Sequence, residues 1–160
     1  MHFFKWVGVV ALLATGVLTS LCLRSFERHR ITQAQNFLAL VRFLRWQIDT
    51  LAKPLPAILA DLDEGVLYAC GWGAETRPKN LSDLLAGCTL YLSEEMCTLL
   101  YDFAKGLGTA YREEQLRGCD YILSRLAPYT DALCKDLPKR EKAALFLPIA
   151  GALALILLLI

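Results

Sequence analysis

Apolar residues recur along this chain at helical spacing, and no stretch of any length alternates with a period of two. From about residue 31 to 53, Ile31, Ala34, Leu38, Val41, Ile48 and Ala52 fall on one helix face. Phe37, Leu40, Leu44 and Leu51 widen it, and Pro54 ends it. Pro56 can open a short helix through about Leu62, closed by Asp63-Glu64-Gly65. Val66 to Ala69 could pass for a strand, but no second alternating run exists to pair with it, so the start of another short helix or a buried turn is expected. Gly71-Trp72-Gly73 through Lys79 reads as a loop, and Asn80 can cap a helix from Leu81 to about Gly87. Ser93-Glu94-Glu95 opens the next helix, with both acids at the favourable end of its dipole.

The best patterned stretch is Leu99 to Leu137, two helices about a turn at Gly106-Leu107-Gly108. Met96, Leu100, Phe103 and Leu107 mark the first helix; Leu116, Cys119, Leu123, Leu126, Thr130, Leu133 and Leu137 form a narrow seam on the second. Gly106 or Gly108 can take the left-handed conformation that ends a helix, and Thr109 can cap the next. Glu113 and Arg117 can pair at i,i+4 on the polar side. Such a hairpin must bury its seam on other helices, and those containing Val41 and Phe103 are the expected partners.

Composition changes the picture at the two ends. The chain has 160 residues, enough for one domain of ordinary size, yet 56% are hydrophobic and the mean hydropathy is +0.40. From Phe3 to Leu23 only Lys5 is charged, a run long enough to cross a hydrocarbon core about 30 Å thick. From Ala143 to Ile160 no residue is charged, and at about 1.5 Å per residue this run just spans a bilayer. The alternative for the first run is a cleaved signal peptide. The flanking bases favour retention: Arg24, Arg28 and Arg30 follow the first run, and Lys135, Lys139, Arg140 and Lys142 precede the second. The positive-inside rule then keeps the middle of the chain in the cytoplasm. The expected organisation is a transmembrane helix over 3–23, a cytoplasmic helical domain over 24–142 and a second transmembrane helix over 143–160. Trp6 beside Phe3, Phe4 and Lys5 suits an interfacial aromatic belt.

Charge and chemistry narrow the function by what they fail to supply. All 16 acids and all bases but Lys5 lie in 24–142, leaving that domain formally neutral, unlike a nucleic-acid binder. The six cysteines form no Cys-x-x-Cys pair, and neither His2 nor His29 has a cysteine at ligand spacing, so no metal or disulfide framework is expected. Phosphate and dinucleotide fingerprints are missing. The acid pairs Asp63-Glu64, Glu94-Glu95 and Glu113-Glu114 are sequence neighbours, about 100° apart on a helix, and do not converge as catalytic carboxylates would. Trp46 and Trp72 can each be a core residue or an exposed interface anchor. Neither an enzyme nor a cofactor site is expected. The rivals are a small membrane-bound enzyme assembled from distant residues and a transporter accessory protein, for which the spans offer only Thr15, Thr19 and Ser20.

Phe103-Ala104-Lys105-Gly106-Leu107-Gly108, followed by Arg112 and Gln115 and then a long helix into a terminal apolar run, resembles stage III sporulation protein AB. Leu44-Arg45-Trp46-Gln47-Ile48 with Pro54-Leu55, and the N-terminal apolar run, extend the resemblance over most of the chain. Three positions depart from it: Tyr111 where the family usually has Asp, Gln47 where it has Glu, and Pro128 in a helix usually unbroken. The resemblance implies an all-α domain of about five to six helices, similar to the cytoplasmic domain of type II secretion platform proteins. It implies a non-enzymatic platform in the trans-envelope complex joining mother cell and forespore, on the mother-cell side of the outer forespore membrane. Its partners would be the membrane and other stage III proteins including a cytoplasmic secretion-type ATPase, with no nucleic acid or small-molecule substrate and with homo-oligomerisation left open. Lys105, Gly106, Gly108, Arg112 and Gln115 would form the partner-binding turn.

Overall fold

The computed structural model describes residues 2–51, 53–74 and 76–159, and the side chains of these apart from 2–7, 9, 158 and 159. The described residues form six helices and no strand, with helix over 82% of them. In chain order they are α1 (His2–Thr50), α2 (Leu55–Ala60), α3 (Glu64–Ala69), α4 (Leu81–Gly87), α5 (Glu94–Gly106) and α6 (Arg112–Leu159). Ala52 and the side chains of the Phe3–Trp6 belt lie outside the described residues.

Two compact units divide the chain, one made of Met1–His29 and Leu133–Ile160, the other of Arg30–Ala132. The second unit carries the core. Its α1 face is Ile31, Ala34, Phe37, Leu40, Val41, Leu44 and Ile48, all buried, while Leu51 past the helix end is exposed. Leu55, Ile58 and Leu59 of α2, Leu67 of α3, and Leu81, Leu84 and Leu85 of α4 are buried as well. Short helices of this length are marginal by themselves, so packing of these apolar faces holds them.

Local chemistry sets the boundaries. The Asn80 side chain accepts from the Asp83 amide (2.7 Å) and starts α4; that of Ser93 accepts from the Met96 amide (3.4 Å) and starts α5. Val66–Ala69 is helical within α3, and Asp63 is the N-cap residue of that helix rather than the close of the one before. Gly71 has φ +96°, and a Cβ there would meet the Gln33 amide nitrogen at 2.8 Å, so only glycine fits this turn. Trp72 follows it into the core and lies against Gly87, where a Cβ would collide with its ring, while Trp46 is exposed.

Two polar nodes lock the unit. Gln33, 3% exposed, donates to the carbonyls of Cys70 (2.9 Å) and Thr89 (2.7 Å) and accepts from the Tyr91 amide (2.7 Å). The Tyr129 hydroxyl accepts from Arg30 (3.0 Å) and from the Ser93 amide (3.1 Å), tying α1, α6 and the start of α5. For buried Gln33, leaving one of its polar atoms unpaired would cost more than the bond itself contributes.

In the first half of α6 the buried residues are Cys119, Ile122, Leu126, Thr130 and Leu133; Ala152 and Ile156 are buried near its end. Four residues of the expected seam, Cys119, Leu126, Thr130 and Leu133, are buried; Leu116, Leu123 and Leu137 are only half-buried, and Ile122 takes the place of Leu123. The helix continues through Pro128, whose exposed ring sits where one lost hydrogen bond is tolerated. Thr109 does not cap it: its hydroxyl donates back to the Gly106 carbonyl (3.2 Å). The helix begins at Arg112, and the Tyr111 carbonyl accepts the first helical bond, from the Gln115 amide (3.0 Å). Tyr111, one of the departures noted above, therefore stands at the N-cap.

The first unit pairs the start of α1 with the end of α6. Ser20 is buried and its hydroxyl donates to the carbonyls of Gly16 (3.0 Å) and Leu145 (3.2 Å). A Cβ on Gly16 would meet Ala152 at 3.1 Å, so the helices touch through small residues. Arg28 and Arg24 hold Glu141 at 2.7 and 3.4 Å, and Arg140 reaches Glu27 at 3.5 Å. Among the described residues one helix is long and apolar enough to cross a membrane: Val10–Thr50, mean hydropathy 1.4 in its most apolar window. Only 6% of that window is buried, unlike a core helix.

Candidate partner-binding site

The α5–α6 turn brings the five expected site residues to one end of the second unit, and the geometry gives them different work. Leu107 ends α5 as its C-cap, and Gly108 takes φ +94°, the left-handed turn that reverses the chain. A Cβ on Gly108 would meet Leu55 Cδ2 at 3.1 Å, so the glycine is also needed for the turn to close on α2. Gly106 is helical with open space where a Cβ would stand, so the fold does not depend on it. Of the two glycines proposed to bend the chain, Gly108 does so.

Arg112 is a clamp. Its Nε donates to the Ile48 carbonyl (3.2 Å), and one Nη2 donates to the Asp49 carbonyl (2.5 Å) and to Asp49 Oδ1 (2.9 Å). The last carbonyls of α1 have no helical partner, and a cation there also favours the negative end of the dipole. Gln115 donates to the Ala110 carbonyl (2.6 Å) and holds the turn against the first coil of α6. Together with Ile48, Lys53, Pro54, Leu55, Pro56 and Gly108, both residues line a shallow hollow of about 230 Å³. The two stretches that carry the family resemblance, Leu44–Leu55 and Phe103–Gln115, meet there.

Lys105 is different. It is exposed in the last turn of α5, and its ammonium lies 3.4 Å from Asp102. Of the five it is the one whose charge the fold does not consume in a tertiary contact. Nearby, Arg45 on α1 and Asp120 on α6 pair at 2.5 Å, and this hydrogen bond holds the Asp120 carboxyl below its ordinary range. Glu113 and Arg117 do pair, at 3.8 Å on an exposed face.

The thiols of Cys70, Cys88 and Cys119 are not poised as nucleophiles. Burial pushes the Cys70 thiol up to about 12, with neighbouring Cys88 adding to it, and burial pushes Cys88 and Cys119 to about 11. Among the described residues no group of three His, Cys, Asp or Glu side chains could hold a metal. Sequence reasoning missed Gln33 and Ile122; the first is a polar residue in an apolar stripe, and only its three loop partners explain it.

An all-helical unit with a glycine-reversed hairpin at one end, and one apolar helix able to cross a bilayer, defines a membrane-associated helical protein. The family model for stage III sporulation protein AB matches residues 5–160, essentially the whole chain. The chain belongs to that family, which gives it a sporulation-related role. No curated protein and no solved structure matched it.

Proposed function

We propose that this chain is a non-enzymatic membrane platform of the channel complex between mother cell and forespore, coupling a cytoplasmic secretion-type ATPase to the membrane channel. The observation that carries the reading is the family match over residues 5–160, which includes both apolar ends and the hairpin. In this reading Ala143–Ile160 is a second transmembrane helix, and the Ser20–Leu145 and Gly16–Ala152 contacts are its packing on the first. The basic flanks keep the unit from Arg30 to Ala132 in the cytoplasm, on the mother-cell side of the outer forespore membrane. A similarity to type II secretion platform domains would follow from the shared task of holding an ATPase at a membrane.

Hydrolysis belongs to the partner, and this chain supplies position and transmission. A contact made by the exposed face of the turn would use Lys105 directly, whereas Gly108, Arg112 and Gln115 would act by holding the turn in place. Affinity purification of the full-length chain from membranes of sporulating cells tests this. The expected result is recovery of a secretion-type ATPase together with other stage III proteins; their consistent absence, with the chain intact in the membrane, would remove the platform reading.

A further inference from the structure

Between α5 and the middle of α6 lies a groove of about 710 Å³, apart from the hollow at the turn. Its floor is apolar: Leu99 and Phe103, both half-buried, and the edge of buried Ile122. Three carboxylates, Glu94, Glu95 and Asp102, stand along the α5 wall, and no lysine or arginine lines the groove. On the shoulders, Lys105 is engaged with Asp102 and Arg125 lies over the Tyr121 ring at 5.8 Å. The groove thus joins an open apolar floor to an acidic rim.

Gly118 opens the opposite wall. It sits inside α6, where glycine is a poorer helix former than alanine. Its backbone is helical, and a Cβ would rest 3.7 Å from the Phe103 ring, an ordinary contact. Folding does not require glycine here. Its effect is to leave a notch beside Phe103, at the point where a bulky residue would narrow the groove.

We infer that this groove seats an amphipathic helix of a partner protein, with its apolar face on Leu99, Phe103 and Ile122 and its lysines or arginines along Glu94, Glu95 and Asp102. Helix-in-groove binding needs an apolar trough wide enough for side chains at i, i+3, i+4 and i+7, and charge complementarity fixes the orientation. The excess of carboxylates selects a basic helix over an acidic one. This rests on the reading of the domain as an assembly component and names the chemistry of one partner segment.

The test uses the full-length chain in zwitterionic nanodiscs and a fluorescent helical peptide with leucines at i, i+3, i+4 and i+7 and flanking lysines. A peptide with glutamates in place of the lysines is the control, and empty nanodiscs give the background. The account expects the lysine peptide to bind and the glutamate peptide not to. Combined Glu94→Gln, Glu95→Gln and Asp102→Asn should weaken binding at least about tenfold, and Gly118→Leu should abolish it. Asp131→Asn, an exposed acid elsewhere on α6, should leave it unchanged. Gly118→Ala, which cannot disrupt the helix, keeps the test valid if the leucine variant unfolds, and should weaken binding while raising the melting temperature. Binding that ignores the three neutralisations, or equal binding of both peptides, overturns the proposal. So does self-association of the chain that Gly118→Leu abolishes, which would make a second copy the occupant. A chain that binds the lysine peptide here but never recovers an ATPase from cells keeps the groove and loses the platform.

Discussion

Removing the guanidinium of Arg112 should loosen the end of α1, although the residue is exposed and opens α6. The Arg112→Met variant keeps the aliphatic stem and deletes the donors to Ile48 O, Asp49 O and Asp49 Oδ1. Hydrogen bonds from a charged donor contribute about 1.5–3 kcal/mol when well formed. Both side chains are half exposed (55% and 51%), so water replaces part of what is lost, and the ion-pair share is at the surface scale of about 0–1 kcal/mol. The expected cost is about 1–2 kcal/mol. Arg112→Glu should cost about 1–3 kcal/mol: it places a carboxylate beside Asp49 and the negative end of α1, an effect partly offset by the positive end of α6, where residue 112 sits. Lys105→Glu, with no tertiary contact to lose, should stay within about 1 kcal/mol. Urea unfolding of the full chain in nonionic micelles, followed through the buried Trp72, measures all three without screening the charges. Arg112→Met within about 0.5 kcal/mol of the unmodified chain would refute the clamp and return Arg112 to solvated surface.

Ile122→Ala should cost about 2–5 kcal/mol and half-buried Leu123→Ala distinctly less, read by the same unfolding curves; the reverse order would restore the expected seam. Gly108→Ala should cost about 1–2 kcal/mol, because φ +94° is strained for an L-residue and the new Cβ presses on Leu55, whereas Gly106→Ala should be neutral or stabilising. The thiols of Cys70, Cys88 and Cys119 have folded values above the ordinary 9.0, so their contribution to stability is complete below pH 9 and is lost as pH rises towards about 11–12. Thermal melts across pH 8–12 should show this fall, and a thiol reagent at neutral pH should label exposed Cys134 well before Cys70.

Elements with strong local punctuation were legible in the chain. Asn80 and Ser93 mark the starts of α4 and α5 because each cap satisfies an amide three residues on, a purely local transaction. The apolar face of α1 was legible for the same reason that it forms, since a stripe at helical spacing has only one side to bury. The α6 seam was legible at Cys119, Leu126, Thr130 and Leu133 and missed at one step, because Ile122 and Leu123 are neighbours of similar apolarity and period cannot choose between them. Trp46 and Trp72 could not be told apart by type. Their fates follow from Gly87, whose missing side chain makes room for one ring and not the other. Arg112 was visible as a candidate, yet its partners lie more than 60 residues back, so its structural task emerges only when α1 ends beside it. Thr109 fitted a cap rule equally well and lost to the geometry of a turn that starts the helix at Arg112.

The platform reading is tested most directly by photocrosslinking in living sporulating cells from a benzophenone side chain placed at position 105. That position is exposed, carries no tertiary contact, and lies beside the hairpin turn. The account predicts a crosslink to a cytoplasmic secretion-type ATPase from position 105 and none from an exposed position outside the turn, such as 66 in α3. An ATPase crosslink from 66 but not from 105 would contradict the role given to the turn. No ATPase crosslink from either position, with the chain folded in the membrane and the ATPase present, would contradict the coupling itself.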